Sequence, residues 1–176
     1  MGYSRTQVYR AKAGKFFERV CLMFSRSTML ALFTLAGLTA GGAAQACPDY
    51  SLNGARDSFS STDAWSERRY SVVAGGSVDL ARCSSVPGIG NVARAPDFTF
   101  SYNHNANHSL RFQARAGCDT VLMVNDATGR WHWDDDSAGG TNAEVHLRAP
   151  SSGSIDVWVG TFGSGYCNAN LHVESF

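Results

Sequence analysis

An acidic hairpin in the carboxyl-terminal half of the chain is the clearest candidate for chemistry. Asn125, Asp126, Asp134 and Asp136 flank a short strand–turn–strand pattern. Hard cations such as Ca²⁺ take about 6–8 oxygen ligands, and carboxylate and amide oxygens supply them. Because alternate residues of a strand share a face, Asp134 and Asp136 are expected to point together, with Asp135 pointing away. These residues are the candidate ligands of a Ca²⁺ site at this hairpin; turn-capping or solvated aspartates are the favoured interpretation.

Three tryptophans on two predicted strands form a second candidate site. Trp131 and Trp133 are two residues apart and share one strand face, and Trp158 lies in a later strand. Aromatic rings stack on the apolar faces of sugars and peptides. The rings are therefore the candidate platform for a protein or glycan ligand, and packing in the core is the favoured interpretation.

A serine beside the acidic residues could be a nucleophile. Residues 136–140, Asp-Ser-Ala-Gly-Gly, are similar to the Gly-Asp-Ser-Gly-Gly of trypsin-like enzymes, whose backbone N–H groups hold an oxyanion. However, Asp135 and Ala138 stand where that pattern has glycine, and no matching histidine motif precedes Ser137. We predict a turn serine in a non-catalytic chain. A protease-associated protein, either an inhibitor or a serine-type hydrolase, is the alternative.

The amino-terminal residues 1–46 have the pattern of an export signal. Six basic residues precede an apolar run that begins at Met29, and residues 44–46, Ala-Gln-Ala, match a secretory cleavage site. Cleavage is predicted after Ala46, and Met23 is an alternative start. The apolar stretch is shorter than the roughly 20 residues that a membrane span needs, so no span is expected after cleavage. A membrane anchor is the alternative.

The cysteines indicate an oxidising compartment. With Cys21 in the leader, Cys47, Cys83, Cys118 and Cys167 remain, and this even number predicts two disulfides. Of the three pairings, Cys47–Cys83 with Cys118–Cys167 is favoured because each joins neighbouring parts of the chain. A lipid anchor on Cys47 is the alternative, and it would leave one thiol unpaired. The predicted location is the periplasm or the medium of a bacterium.

The charge of the chain argues against a nucleic-acid partner. The whole sequence has 15 basic and 15 acidic residues, but the leader takes six of the basic ones and only one acidic one. The remainder therefore carries nine arginines, no lysine and fourteen acidic residues, for a net charge of about −5. Nucleic-acid binding needs a basic surface, so that class is excluded.

Alternating apolar and polar residues after the leader predict an all-β domain. Residues 69–74 and 77–81 are predicted to form a hairpin around Gly75-Gly76. Residues 47–96 supply the amino-terminal strands and covering loops. Further strands are predicted at 97–102, 110–114, 119–124, 130–133, 143–147, 155–159 and 168–175. Many short strands joined by polar turns favour an antiparallel β-sandwich, jelly-roll-like in form.

Four motifs follow one another in the second half of the chain. They are Asp119-Thr-Val-Leu-Met-Val-Asn-Asp, Asp134-Asp-Asp-Ser, Ala143-Glu-Val-His-Leu and Gly153-Ser-Ile-Asp-Val-Trp-Val-Gly. Over residues 97–176 this arrangement resembles the bacterial pre-peptidase C-terminal domain family. The resemblance implies a jelly-roll-like sandwich that accompanies secreted proteases and is cleaved away or used for binding, without catalysis. Ile155 stands where the family usually has Tyr, and the Cys118 and Cys167 pair is an addition.

These observations lead to one functional expectation. The chain is predicted to be a non-catalytic, exported β-sandwich that acts as a binding or accessory module. Ca²⁺ at the acidic hairpin is its candidate stabilising ion, and its unknown ligand is a protein or a glycan with the tryptophans as candidate contacts.

Overall fold

The computed structural model describes residues 46–176, and this part of the chain folds almost entirely into strands. Its only helical pieces are two single 3₁₀ turns, Asp63–Trp65 and Leu80–Arg82. The predicted all-β sandwich is confirmed. No helix within 46–176 is long and apolar enough to cross a membrane. The predicted signal peptide lies outside the described residues, apart from Ala46.

Eleven strands make up the sandwich. They are β1 (Ala55–Ser60), β2 (Arg68–Gly75), β3 (Val78–Asp79), β4 (Asn91–Val92), β5 (Phe98–Asn103), β6 (Leu110–Ala116), β7 (Thr120–Asn125), β8 (Trp131–Asp134), β9 (Glu144–Leu147), β10 (Gly153–Thr161) and β11 (Tyr166–Ser175). β5 to β11 all fall within or next to stretches where the sequence predicts strands, because their apolar residues alternate with period two.

β10 is the central strand of the seven-stranded sheet. On one side it pairs with β7, which pairs in turn with β8. On the other side β10 pairs first with β5 and then, at Thr161, with β4, which pairs with β3. β1 lies beyond β5 and runs parallel to it. This parallel pair is the one exception to antiparallel pairing among the described strands.

The second sheet has four strands in the order β2-β11-β6-β9, all antiparallel. Its inner face packs on the inner face of the seven-stranded sheet. Phe100 on β5 and Phe112 on β6 meet there with ring centroids 6.1 Å apart, and both side chains are fully buried. Truncating such a buried ring costs about 3–5 kcal/mol, so this inter-sheet core is the main source of stability.

A second apolar cluster covers part of the outer face of the seven-stranded sheet. Trp158 on β10 and Met123 on β7 form its floor, and Leu80 and Val92 cover them. β10 is therefore buried on both faces from Ile155 to Gly160, a stretch in which Asp156 is the one charged residue.

Both predicted disulfides are present with the favoured pairing. Cys47 is joined to Cys83, which fastens the amino-terminal segment over the outer cluster. Cys118 is joined to Cys167, which ties the β6–β7 connection to the start of β11. Disulfides persist in oxidising compartments, so the pair indicates a protein that folds outside the cytoplasm.

The hairpin predicted around Gly75-Gly76 is wrong. β2 pairs with β11 in one sheet and β3 pairs with β4 in the other, so the two glycines carry the chain from sheet to sheet. A side chain at Gly76 would lie 1.9 Å from the backbone carbon of Val92. The glycines therefore permit a close backbone approach rather than a tight turn, and both roles give the same sequence signal.

Candidate functional site

The acidic hairpin does not bring its oxygen atoms together. Asn125 faces Trp131 across the β7–β8 ladder, whereas Asp134 faces Leu122 at the other end of β8. Asp126 therefore lies at one end of this short strand and Asp134 at the other. Asp136 lies beyond the strand end and is exposed, so it does not share a strand face with Asp134. The expectation that these residues converge is not met.

Asp126 organises the turn that joins β7 to β8. Its Oδ1 accepts hydrogen bonds from the backbone N–H groups of Thr128 and Arg130, at 2.8 Å and 3.1 Å, and its Oδ2 lies 2.7 Å from Nε2 of His132. Burial works to raise the pKa of Asp126, but these bonds and one from the Thr128 hydroxyl outweigh it and lower the pKa to about 2. This carboxylate is satisfied by its own turn.

Asp134 links the two sheets. Its Oδ2 accepts hydrogen bonds from the backbone N–H groups of Ser137, at 2.9 Å, and Glu144, at 2.8 Å, and Glu144 begins β9 of the four-stranded sheet. The Ser137 hydroxyl donates to the same carboxylate. Ser137 thus caps a turn. A serine nucleophile needs a hydrogen bond to an activating base such as histidine, and Ser137 makes no such bond to a histidine within residues 46–176.

A metal centre finds no support in the part of the chain that the structure describes. No group of three or more His, Cys, Asp or Glu side chains there is arranged to hold an ion. Asp126 and Asp134 already use their oxygens on local donors. The Ca²⁺ site therefore stays a prediction and enters no proposal below.

The three tryptophans are close together, but they differ in exposure. Trp158 is fully buried, and its ring packs on Trp131 with centroids 5.2 Å apart. Trp133 is half-buried; its indole N–H donates to the carbonyl of Ile89 at 3.1 Å, and Gly88 leaves room for its ring. Trp131 is half-buried and meets the exposed ring of Tyr50 edge-on at 6.1 Å. Trp158 is therefore a core residue, whereas Trp131 and Trp133 are partly accessible.

Trp131 ends a row of side chains that crosses five strands of the seven-stranded sheet. The register places Arg56 beside Thr99, Thr99 beside Asp156, Asp156 beside Asn125, and Asn125 beside Trp131. All five share the outer face, because the residues that alternate with them on β5, β7 and β10 enter the inter-sheet core. We call this set the transverse row.

The middle of the transverse row is buried and short of partners. Asp156 and Asn125 are each only 6% exposed. The Thr99 hydroxyl donates to Oδ1 of Asp156 at 2.6 Å, but Nδ2 of Asn125 donates to no acceptor within residues 46–176. Burial raises the pKa of Asp156, and the Thr99 hydrogen bond opposes this only in part. A buried polar atom without a hydrogen-bond partner lowers the stability of the folded state, so the burial of Asn125 beside Asp156 needs an explanation.

An open groove lies next to the transverse row on the same outer face. It has a volume of about 620 Å³, which is in the range of ligand sites. Side chains that donate and accept hydrogen bonds line it: Ser58, Thr99, Ser101, Ser154, Asn53 and Arg56. Asp57 also borders the groove, but its carboxylate accepts hydrogen bonds from Arg68 and the Tyr70 hydroxyl, which lower its pKa.

The outer face of the four-stranded sheet is different, because its charges pair with each other. Glu67 accepts from Arg69 at 2.6 Å, and Arg111 donates to Glu174 at 2.6 Å. Nδ1 of the buried His172 lies 3.1 Å from the carboxylate of Glu67, although its angle is poor for a hydrogen bond. These arginines therefore already have partners, whereas at the groove the hydroxyls of Ser101 and Ser154 make no hydrogen bond to another described residue.

Comparison with known proteins does not assign the chain to a family. No protein-family model and no curated protein matches the chain. The candidate site therefore depends on the contacts described above.

Sequence reasoning found Asn125 and Trp131 but missed the rest of the transverse row. Thr99 and Asp156 lie in strands 57 residues apart in sequence, and Arg56 lies in a stretch predicted as strand or covering loop. The signal available was Asp156, which interrupts an apolar strand that is otherwise buried on both faces. A charged residue in such a strand is costly to bury and marks a position with a special role.

Proposed function

We propose that this chain is a non-catalytic, exported binding module whose ligand lies in the groove of the seven-stranded sheet. The observation that carries the proposal is the hydroxyl-lined opening of about 620 Å³ beside two buried polar side chains, Asp156 and Asn125. Ligand sites combine a concave surface with a few convergent polar groups, and this part of the molecule has both.

The chemistry of the groove favours a neutral, hydroxyl-rich ligand, which makes a glycan the ligand class. Ser101 and Ser154 each offer one donor and two acceptor positions, whereas the Ser58 hydroxyl already donates to the carbonyl of Ser101. The charged side chains that line the groove are Arg56 and Asp57, and their formal charges cancel. No excess of either charge therefore selects an anion or a cation.

The export of the chain and its family are part of the same proposal. Its support is the predicted leader, the two disulfides and the four motifs that resemble the pre-peptidase C-terminal domain family. The proposed location is the periplasm or the medium. There, a glycan of the envelope or of the surroundings is the accessible ligand.

The test is calorimetric titration of the mature protein with neutral hexasaccharides, namely cellohexaose, chitohexaose, maltohexaose and laminarihexaose. We expect one of them to bind, and we expect Ser101→Trp to weaken that binding at least about tenfold because the indole fills the groove. Ser71→Trp is the matched control, since Ser71 is an exposed serine on the outer face of the other sheet. Equal binding by Ser101→Trp and wild type, or no binding at all, would contradict the proposal.

A further inference from the structure

The buried middle of the transverse row lies beside the groove and is connected to it through Thr99. The Thr99 hydroxyl lines the groove and donates to Asp156, and Asn125 lies next along the row. Thr99 is therefore the residue between a ligand in the groove and the buried pair, Asp156 and Asn125, whose side chains have few hydrogen-bond partners in the protein. The inference drawn below rests on the proposed function.

The unsatisfied atoms of this pair are complementary to one kind of ligand group. Thr99 is the one hydrogen-bond donor to the Asp156 carboxylate among the described residues, so this carboxylate can accept more; Nδ2 of Asn125 lacks an acceptor. A hydroxyl group is both donor and acceptor. Two neighbouring hydroxyls of one sugar ring can therefore donate to Asp156 and accept from Asn125, which satisfies both side chains at once.

Trp131 supplies the apolar contact that such a sugar needs. It is the next residue of the transverse row after Asn125, and its ring is held in place by packing on Trp158 at 5.2 Å. The C–H face of a sugar ring packs on an aromatic face. A ring placed over Asn125 would have its hydroxyls towards Asp156 and its apolar face towards Trp131.

Segment 50–53 runs between contacts with the two members of the row that flank the buried pair. At one end Tyr50 contacts Trp131, and at the other the backbone N–H of Gly54 donates to Thr99 at 3.0 Å. Between them, the hydrogen bonds of Ser51 and Leu52 all go to Asp49 in the same segment. The side chains at 50–53 are exposed. The segment can therefore lift without breaking a hydrogen bond between these two residues and the sheet.

We propose that Asp156, Asn125 and Trp131 form a subsite for one sugar ring with two neighbouring hydroxyl groups, reached from the groove when segment 50–53 lifts. The subsite explains why a carboxylate and an amide with so few partners are buried together in the middle of the sheet. The subsite would hold the terminal sugar of the glycan rather than an internal one, because the row ends at Trp131, which contacts Tyr50.

The test uses the hexasaccharide that binds most tightly to the mature wild-type protein. We expect Asp156→Ala and Asn125→Ala each to weaken binding about tenfold, since each removes the side chain that would hydrogen-bond to the sugar. Trp131→Phe is expected to abolish the ligand-induced change in tryptophan fluorescence. Asn168→Ala, an exposed amide on the outer face of the four-stranded sheet, is the matched control and is expected to bind as wild type.

The outcomes separate this subsite from the groove. If Ser101→Trp loses binding while the subsite variants bind as wild type, the subsite is wrong and the proposed function stands. If none of the hexasaccharides binds, both are wrong, and a protein ligand becomes the competing class. Should a variant fail to fold, the side-chain amide resonance of Asn125 in the wild-type protein decides: a shift on saturation supports the subsite, and an unchanged resonance overturns it.

Discussion

The carboxylate of Asp97 accepts a hydrogen bond from the backbone N–H of Val159 at 2.7 Å. This bond closes a gap in the seven-stranded sheet. Along one edge, β10 pairs with β5 up to Val157 and then with β4 only at Thr161. Among the described strands, none pairs with Val159 along that edge. A side chain therefore replaces a backbone acceptor at the point where β10 changes partner.

The first prediction concerns the pH dependence that Asp97 causes. Burial raises the pKa of Asp97 to about 6, against an ordinary value of 3.8. The folded state then binds the proton more tightly than the unfolded state, so the free energy of unfolding falls as pH rises from about 4 to about 6. The loss is at most about 3 kcal/mol. Asp97→Asn, whose amide oxygen still accepts from Val159, is expected to remove this loss.

Urea unfolding at several pH values between 4 and 7 measures this effect as the difference between wild type and Asp97→Asn. Asp97→Ala is the control, because it leaves the Val159 N–H without its partner and is expected to be less stable than Asp97→Asn by about 1–3 kcal/mol at every pH. Parallel pH profiles for wild type and Asp97→Asn would show that the Asp97 carboxyl titrates normally.

The second prediction concerns Asp126, whose pKa is lowered to about 2. Its stabilising contribution is present above the unfolded value of 3.8 and is lost as pH falls towards 2. Asp126→Asn is expected to destabilise the protein by about 2 kcal/mol at pH 7, and the difference should disappear in strong acid. Thermal melts between pH 7 and pH 2 measure it. Asp136→Asn, at an exposed position of the same hairpin, should leave the melting temperature unchanged; equal losses in both variants would contradict this account.

The third prediction tests the link that Asp134 makes between the sheets. Asp134→Ala removes the acceptor for the Ser137 and Glu144 backbone N–H groups, and we expect a loss of about 1–3 kcal/mol. Amide hydrogen exchange at Ser137 and Glu144 is expected to become faster. Asp136→Ala is the matched control and should leave both exchange rates as they are. If the Glu144 amide exchanges as slowly in Asp134→Ala as in wild type, the prediction that Asp134 links the two sheets is wrong.

The fourth prediction concerns the crossing at Gly76. A Cβ there would lie 1.9 Å from the backbone carbon of Val92, so Gly76→Ala must push two backbone segments apart. We expect it to destabilise the protein by more than about 2 kcal/mol, measured by chemical denaturation. Gly117→Ala is the control, because a Cβ at Gly117 meets nothing within 4 Å. Similar stabilities for the two variants would mean that the close approach is not tight.

Calcium belongs with the expectations that the sequence raised and the structure left without support. The acidic residues are close together in sequence and are therefore candidates for one ligand set. In the structure, Asp126 precedes the four-residue strand Trp131–Asp134, whereas Asp134 is at its far end. Each of these two carboxylates then found local donors. Short acidic motifs give the same signal whether they cap turns or bind ions, because both uses need oxygen atoms close to the backbone.

Local patterns in the sequence predicted most of the strands and their faces and favoured the disulfide pairing that the structure shows. A period of two in apolar residues follows from the geometry of a single strand, and the even set of cysteines, paired between neighbouring stretches, needed no knowledge of the sheets. Asn125 and Trp131 could be selected for the same reason, since both belong to one local hairpin.

Which strands are neighbours could not be predicted from the sequence and follows from the packing of the two sheets. The glycines at 75 and 76 carry the chain between sheets, and the register brings Arg56, Thr99 and Asp156 into line with Asn125. Pairing between distant strands depends on how whole faces pack and on where loops can close, and no local pattern records this. The candidate site is therefore a product of register: its residues are ordinary in their own strands and acquire a shared chemistry only when five strands lie side by side.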